Sequence, residues 1–218
     1  MHLPNGSKIF VEKDRAAVKN ATAISKAKEP VFTIDSSGLA KNDIVIIVES
    51  SWLELENMVL RVKDVSGTFV TMEGFDTTDP NVFIGTGTAK VQKITKWIEV
   101  PCVLDVGGEG GEQQFYNYQC LSSFVEQQLP TFKSARSVTY SFGHDYTQPI
   151  YPVLREADKT RAVKAMHMYV PLATETRLWS AVLSFDDVPK TAVNEAETVT
   201  LSATVKGQYV FVSATAAG

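Results

Sequence analysis

The stretch GGEGGEQQFYNYQCLSSFVEQQLPTFKSARSVTYSFGHD, residues 107–145, carries most of the information about the fold. It opens with a double-glycine loop and an alternating aromatic strand. A polar connector ending in Pro-Thr-Phe-Lys-Ser follows, and a second alternating strand closes it. Such a segment presents strand edges, flexible ends and amide side chains, but no arrangement of catalytic groups. We interpret it as an element through which copies of the chain assemble.

Alternation of apolar and polar residues extends outward from this stretch in both directions. Val138, Tyr140 and Phe142 alternate with small polar residues, and similar short runs recur from Lys8 to Val212. A period of two between turn-forming residues is typical of β-strands with one buried face. The sequence therefore predicts a mainly β fold of the sandwich or barrel-forming kind.

One segment follows a helical rather than a strand pattern. In the run beginning at Tyr151, Pro152 occupies a first-turn position that helices tolerate, and Leu154 and Ala157 fall on one face. This spacing predicts a short amphipathic α-helix that covers one face of a sheet.

A change in composition divides the chain into two parts. Residues 20–95 form a series of short strands and turns rich in Val, Ile, Ser, Thr and Asp, whereas longer strands with aromatic residues surround them. We expect one larger β domain, residues 1–19 and 96–218, interrupted near its N-terminus by a small inserted β module at residues 20–95.

Charge and composition exclude several classes of protein. The 218 residues carry a formal net charge of −4, whereas a protein that grips nucleic acid usually has a basic excess. No stretch approaches the roughly 18 apolar residues of a membrane span, and the first residues lack the apolar core of a signal peptide. We expect no membrane association, and synthesis and assembly in a cytoplasm. Cys102 and Cys120 lack metal-ligand spacing and are expected to be small buried hydrophobes.

Catalytic and ligand-binding motifs are weak. Ser141, His144 and Asp145 include the residue types of a hydrolase triad, but they lie together in one strand and loop without a nucleophile elbow. The three histidines have no metal-ligand spacing, and the Gly85–Thr88 turn lacks the lysine of a phosphate-binding loop. The sequence predicts no enzyme activity, no cofactor and no metal site.

The ordered motifs of the chain resemble the major tail tube proteins of lambda-like long-tailed bacteriophages. Residues 111–115, GEQQF, match one block of that family, and residues 130–134, PTFKS, match another. The opening residues 3–8, LPNGSK, are also similar, and the resemblance covers residues 1–14 and 96–206. The segment from Gly38 to Asp79 resembles a small β module that some of these proteins carry as an insertion. The chain ends soon after its last predicted strand, so no C-terminal immunoglobulin-like domain is expected.

The resemblance implies a structural virion protein. Members of this family form hexameric rings that stack around a tape measure protein into a tube, and the inner sheets of the six copies close into one barrel. Further partners implied are the tail terminator and the baseplate or tip proteins. DNA passes through the tube without specific binding.

Two groups of residues are candidates for these roles. The glycines, amides and apolar residues of the central stretch are expected to form ring-to-ring contacts: Gly107, Gly108, Gly110, Gly111, Gln113, Gln114, Phe124, Leu129 and Phe132. Three carboxylates without an intervening base are expected to line the bore: Asp105, Glu109 and Glu112.

A β-sandwich binding module, such as a baseplate or carbohydrate-recognition domain, is the alternative function. Trp52, Trp97 and Trp179 would then provide stacking platforms for a sugar. Burial of these indoles would argue against that reading.

Overall fold

A computed structural model describes residues 5–214, in which short strands dominate. The strands are β1 (Lys8–Arg15), β2 (Lys19–Ile24), β3 (Val31–Ile34), β4 (Ile44–Ser50), β5 (Val59–Ser66), β6 (Phe69–Glu73), β7 (Gly87–Glu99), β8 (Val103–Glu109), β9 (Gln113–Tyr118), β10 (Gln127–Lys133), β11 (Ser137–Gly143), β12 (Val163–Val170), β13 (Glu175–Lys190), β14 (Thr198–Val205) and β15 (Val210–Ser213). The helix α1 spans Ile150–Thr160, and two short 3-10 turns lie at Leu53–Leu55 and Pro171–Ala173. The prediction of a mainly β fold with one short helix is confirmed.

Six strands close into a small barrel. Their order is β2-β3-β6-β5-β4-β7, and pairing of β2 with β7 completes the ring. Phe32, Val45, Leu60 and Met72 are completely buried inside it. Closure pairs both edges of the sheet, which removes the exposed strand edges that favour aggregation.

A second, larger sheet contains the remaining long strands. Its order is β7-β1-β12-β13-β14-β11-β8, so β7 contributes its first half to the barrel and its second half to this sheet. Strand β13 also changes partners, because β15 pairs with its first residues and β14 with its last. This change of partner divides the sheet into a β1–β12 layer and a β8–β11–β14 layer.

One apolar core joins the two layers. Alternate residues of β13, among them Trp179, Ala181 and Leu183, are buried and pack with the apolar residues of β1, β11 and β14. Helix α1 covers this core with Leu154 and Ala157, as the helical spacing in the sequence predicts. Burial of this apolar area is the main stabilising contribution to the sandwich.

The barrel docks on the β1–β12 layer, on the face turned away from that core. Ala165 of β12 and Leu178 of β13 belong to the barrel's own apolar cluster. The hydroxyl of Ser180 donates a hydrogen bond of 2.6 Å to the backbone carbonyl of Asn57 in the barrel. Arg61 of β5 donates a bond of 2.6 Å to the Ser213 carbonyl of β15. The barrel and the sandwich are therefore joined by both apolar and polar contacts.

The central stretch differs from its sequence-based description. Gly107 and Gly108, expected in a flexible loop, lie within β8 and pair with Thr139 and Val138 of β11. The prediction of a polar connector is also wrong in part, since residues 127–133 form strand β10, which pairs with β9. Strand pairing with a distant segment holds residues whose own propensity favours turns.

The expectation for the cysteines is wrong. Cys102 and Cys120 are both exposed and both free thiols. Cys102 has a φ of 47° in the turn before β8, and Cys120 lies in the loop that joins β9 to β10. Turn geometry, rather than the apolar character of the thiol, determines where they lie.

His167 makes the stability of the fold depend on pH. Its ring stacks on Phe10 at 4.5 Å between centroids and meets the edge of Trp97 at 4.4 Å, while its Nδ1 is buried without a hydrogen-bond partner. Burial among these groups disfavours the imidazolium and lowers the pKa of His167 to about 4. Between this pKa and the unfolded value near 6.5, the unfolded chain binds more protons.

We therefore expect stability to fall as the pH drops through this window. Between pH 7.5 and pH 5, His167 is expected to lower the free energy of unfolding by about 2 kcal/mol. The variant His167→Phe, which has no ionisable ring there, should lose this part of the dependence. Denaturant unfolding of both proteins at the two pH values measures it, and equal slopes in both would contradict the assignment.

Candidate assembly surfaces

The β8–β11–β14–β13 layer presents a polar face on the side opposite the apolar core. Strand register places three rows of four residues across it: Asp105–Ser141–Thr200–Asp186, Gly107–Thr139–Ser202–Ser184, and Glu109–Ser137–Thr204–Val182. We call these twelve positions the polar face. Eight of them are serine, threonine or glycine, three of the four corners are carboxylates, the remaining position is Val182, and none is basic. Every position is at least partly accessible to solvent.

The polar face follows from simple alternation. Tyr140 and Phe142 of β11 point into the core, so Thr139 and Ser141 point away from it. The same alternation places Leu201 and Ala203 of β14 inside. A face of short hydroxyl side chains is flat and hydrophilic, and it offers little apolar area to a passing molecule.

Both edges of this layer lack a strand partner. Strand β8 pairs only with β11, so its other edge is open along the described chain. At the opposite side, β12 pairs with β13 only as far as Val182, which leaves residues 183–190 without a strand on that side. The Phe185 amide there donates a bond of 3.3 Å to the Asp158 carboxylate of α1. Open edges on both sides suit pairing with further copies of the layer.

The three predicted bore carboxylates do not all lie together. Asp105 and Glu109 lie on the polar face, at opposite ends of β8. Glu112 lies beyond the end of β8, where its backbone amide donates a hydrogen bond of 3.0 Å to the Ser134 hydroxyl oxygen. Asp186, which the sequence interpretation missed, lies on the polar face in the same row as Asp105. The shared row of Asp105 and Asp186 follows only from the register between strands that are distant in the sequence.

Strands β9 and β10 form a separate hairpin that we call the arm. They pair with each other from Gln127 opposite Tyr118 to Lys133 opposite Gln113 and form their own two-stranded sheet. The arm continues the β8–β11 ladder beyond its end and leaves the body of the subunit there. Because no sheet covers it, both of its faces are open to solvent over most of their length.

Two glycines fix the junction between the arm and β8. Gly110 has a φ of 79°, and a Cβ at this position would lie 2.0 Å from the Ala135 carbonyl oxygen. Gly111 has a φ of 82° and donates a hydrogen bond of 3.2 Å to Ser134. Gly110 therefore requires glycine both for its backbone conformation and for the close approach of the Ala135 backbone, whereas Gly111 favours glycine for its backbone conformation.

The arm exposes large apolar side chains. Phe124 and Leu121 in its loop are fully accessible, Phe132 is 69% exposed and Leu129 is 51% exposed. Gln113 is partly buried and donates from Nε2 to the Gln114 carbonyl at 3.0 Å. The predicted contact residues thus divide between strand β8, the glycine junction and the arm. Exposed apolar clusters of this kind are typical of interaction surfaces.

The residues that resemble a hydrolase triad have structural roles. The His144 Nδ1 lies 2.8 Å from the Tyr151 hydroxyl, and Asp145 accepts hydrogen bonds from Thr147 and Gln148. The Thr147 hydroxyl is the largest cause of a lowered pKa for Asp145, followed by Gln148. This carboxylate caps a turn. Among residues 5–214, no group of three or more His, Cys, Asp or Glu side chains could hold a metal ion.

The three indoles that the alternative function would use as stacking platforms for a sugar are buried or packed against other side chains. Trp52 is 3% exposed inside the barrel and donates from Nε1 to the Ile84 carbonyl at 2.8 Å. Trp179 is 1% exposed in the sandwich core, and Trp97 packs against the barrel core and His167. These positions give no support to the binding-module alternative.

Comparison with known proteins identifies a family. A family model described as phage tail tube protein, TTP, matches residues 50–214, a span of 165 residues (214 − 50 + 1) in the 218-residue chain. The matched span contains β8 to β15 and α1, and with them the polar face and the arm. No curated protein matches the chain. In the described part of the chain, no helix is long and apolar enough to cross a membrane.

Proposed function

The chain belongs to the phage tail tube protein family, and we propose that six copies form a ring and that stacked rings form the conduit for genome ejection. Membership of this family makes it a structural component of the virion tail and not an enzyme. The observation that carries the finer proposal is the polar four-stranded layer with an open edge on each side.

Ring closure would pair the two open edges. The four strands β8, β11, β14 and β13 alternate in direction, since each neighbouring pair is antiparallel. Copies related by rotation about an axis along the strands would therefore bring β8 of one copy antiparallel to β13 of the next. Such head-to-tail contacts close into a ring and leave no free edge.

Six copies would give a bore of suitable width. Twenty-four strands spaced about 4.8 Å apart and tilted about 40° make a barrel roughly 50 Å across. Three copies would give half that diameter, which is too narrow for a DNA duplex once side chains fill the inner rim. The family resemblance likewise implies six.

The polar face would then line the bore. Asp105, Glu109 and Asp186 would turn toward passing DNA, with short hydroxyl side chains between them. Carboxylates repel phosphates, and the absence of basic residues at the twelve positions leaves no group to retain a duplex by its charge. Glu112 is proposed to lie at the rim rather than in the bore.

The small barrel would lie on the outside of the tube. It covers the β1–β12 layer on the face away from the sandwich core, whereas the polar face belongs to the other layer. Residues 20–95 are proposed as an inserted module that braces neighbouring copies without narrowing the channel. The flanking residues 1–19 and 96–218 are proposed as the tube-forming domain.

The arm would supply the contact between rings. Its exposed apolar groups include Phe124, Leu129 and Phe132, and Gln113 and Gln114 offer hydrogen bonds that tolerate small shifts. The glycines Gly107 and Gly108 lie in the wall, and Gly110 and Gly111 set the direction in which the arm leaves. We propose assembly in the host cytoplasm around a tape measure protein, between the baseplate or tip and a tail terminator.

Microscopy of the purified protein tests this proposal. Negative-stain images of concentrated protein are expected to show six-fold rings and tubes, and sedimentation should show mass increasing with concentration. A chain that stays monomeric at every concentration, and that is present at low copy number in virions, would contradict the proposal. Rings of another symmetry would correct the number of copies alone.

A further inference from the structure

The end of the sandwich opposite the arm carries a second exposed apolar surface. The arm leaves next to Glu109 and Ser137, whereas Val103 and Gly143 mark the other end of β8 and β11. Three segments meet there, residues 101–104, 144–149 and 191–197, and we call them the far end. Leu104 is 58% exposed, Tyr146 is 74% exposed and Val193 is 89% exposed.

Hydrogen bonds hold the far end together. The Gly143 amide donates to the Cys102 carbonyl at 3.2 Å, and the His144 amide donates to the Glu197 carbonyl at 2.8 Å. The Thr191 hydroxyl donates to the Glu197 carboxylate at 2.9 Å. Its apolar residues are therefore displayed by an ordered set of loops.

We propose that the far end is the receptor for the arm of a second copy in the adjacent ring. This inference rests on the proposed stacking of rings. Copies related by translation along one axis meet end to end, so a projection from one end can be received only at the opposite end. A projection and a receptor at opposite ends of one subunit generate an open stack.

The chemistry of the two surfaces agrees. Glu126 is the only charged residue between Gln113 and Phe132, so the arm is an aromatic and amide surface. With about 20 residues, it matches the number that one partner contributes to a standard interface of about 800 Å² per side. Among residues 5–214, neither apolar core cluster includes a residue of the arm, and the far end offers Leu104, Tyr146 and Val193 as apolar partners.

The reach of the arm is also adequate. From Gly111 to Cys120 the chain spans at most about 30 Å, and from Cys102 to Glu109 it spans about 23 Å, at roughly 3.3 Å per residue. The arm is therefore about as long as the body strand from which it extends. A copy displaced along the axis by the combined length of the body strand and the arm would receive the arm tip at its far end.

The two cysteines report on this contact. Cys120 lies at the arm tip and Cys102 at the far end, and both are exposed thiols. In a stack, Cys120 of each copy approaches Cys102 of a copy in the next ring. Assembled tubes treated with a short bismaleimide should give a ladder of cross-linked species on a denaturing gel, since each copy joins two others.

Single variants provide the controls. Cys102→Ser and Cys120→Ser should each abolish the ladder, because the heterologous link needs both thiols. Tubes that form normally but give no ladder, or that still give links in either single variant, would overturn the receptor while the tube itself stands. If the unmodified chain forms no rings or tubes, the proposed function fails and this inference with it.

A substitution in the receptor gives an independent measurement. Val193→Asp changes a fully accessible loop residue and should leave single rings intact, while tube elongation falls at least tenfold. The control is Leu53→Asp, which places the same charge at a position on the barrel that is 78% exposed. Elongation of Val193→Asp at the control rate would overturn the assignment.

Discussion

Replacing Phe132 with aspartate is expected to leave the subunit folded and to stop the elongation of tubes. Phe132 is 69% exposed on the arm, so the substitution removes no core packing. Surface changes of this kind usually alter stability by less than about 0.5 kcal/mol. In a stack, the same residue would meet the next ring, where a carboxylate has to lose its water without a partner.

The repetition of the contact makes the effect large. Loss of a buried aromatic anchor typically costs about 2 kcal/mol or more per contact, so six contacts would cost on the order of 12 kcal/mol per added ring. Rings should accumulate without tubes. Light scattering and the distribution of tube lengths in micrographs would record this outcome.

A matched aromatic provides the control for this prediction. Phe69 is 54% exposed in β6 of the barrel, away from the arm. Phe69→Asp is expected to assemble into tubes of ordinary length. Normal tubes from Phe132→Asp, or equal loss in both variants, would show that the arm has no special part in ring stacking.

Local patterns were sufficient to predict the sandwich strands and the helix. The alternation from Val138 to Phe142 set which side chains of β11 are buried, and the structure confirms it for Tyr140 and Phe142. The helix at Ile150–Thr160 was predictable because its apolar face and its first-turn proline are local features. Such features do not depend on which distant strand becomes the partner.

The structure of the central stretch was harder to predict, because its strands are stabilised by pairing with other strands rather than by the β propensity of their own residues. Gly107 and Gly108 have no strand preference of their own, and the β11 ladder holds them extended. Pro130 lies within β10, because both strands of an isolated hairpin are edges, where proline is tolerated. The arm is consequently ordered as a hairpin that single-residue preferences do not reveal.

The polar face could be predicted only in part. Asp105 and Glu109 were found because they are close together in the sequence. Asp186 and Ser184 were missed because their place beside β8 depends on two intervening strands. Glu112 was grouped with the others by its proximity in sequence, although the change of direction at Gly110 separates it from the strand. Register between distant segments is a tertiary property, and a one-residue shift would turn the face inward.

Replacing Asp105 with lysine is expected to slow genome ejection while tubes still form. Asp105 is exposed on the polar face, in the row that also contains Ser141 and Asp186. In a six-fold ring, the substitution would remove six negative charges and add six positive ones at the wall of the bore. Each new ring of lysines could neutralise phosphates of the passing duplex.

Counterion release predicts how this retention responds to salt. Each neutralised phosphate contributes about −0.9 to the slope of log affinity against log salt concentration, so several contacts per ring produce steep dependence. Ejection from Asp105→Lys virions should therefore be strongly delayed at low salt and recover as salt increases. Adsorption to the host should be unchanged, since the tube wall takes no part in it.

The control variant must change the charge of each copy by the same amount as Asp105→Lys, but at a position outside the bore. Asp64 of β5 is exposed on the barrel, and Asp64→Lys alters the net charge of each copy by the same amount. Time courses of DNA release at several salt concentrations would compare the two variants with the unmodified virion. If the bore is lined by the polar face, only Asp105→Lys delays release. Equal delay in both variants would make the cause a general surface charge, and no delay in either would place Asp105 away from the path of the DNA.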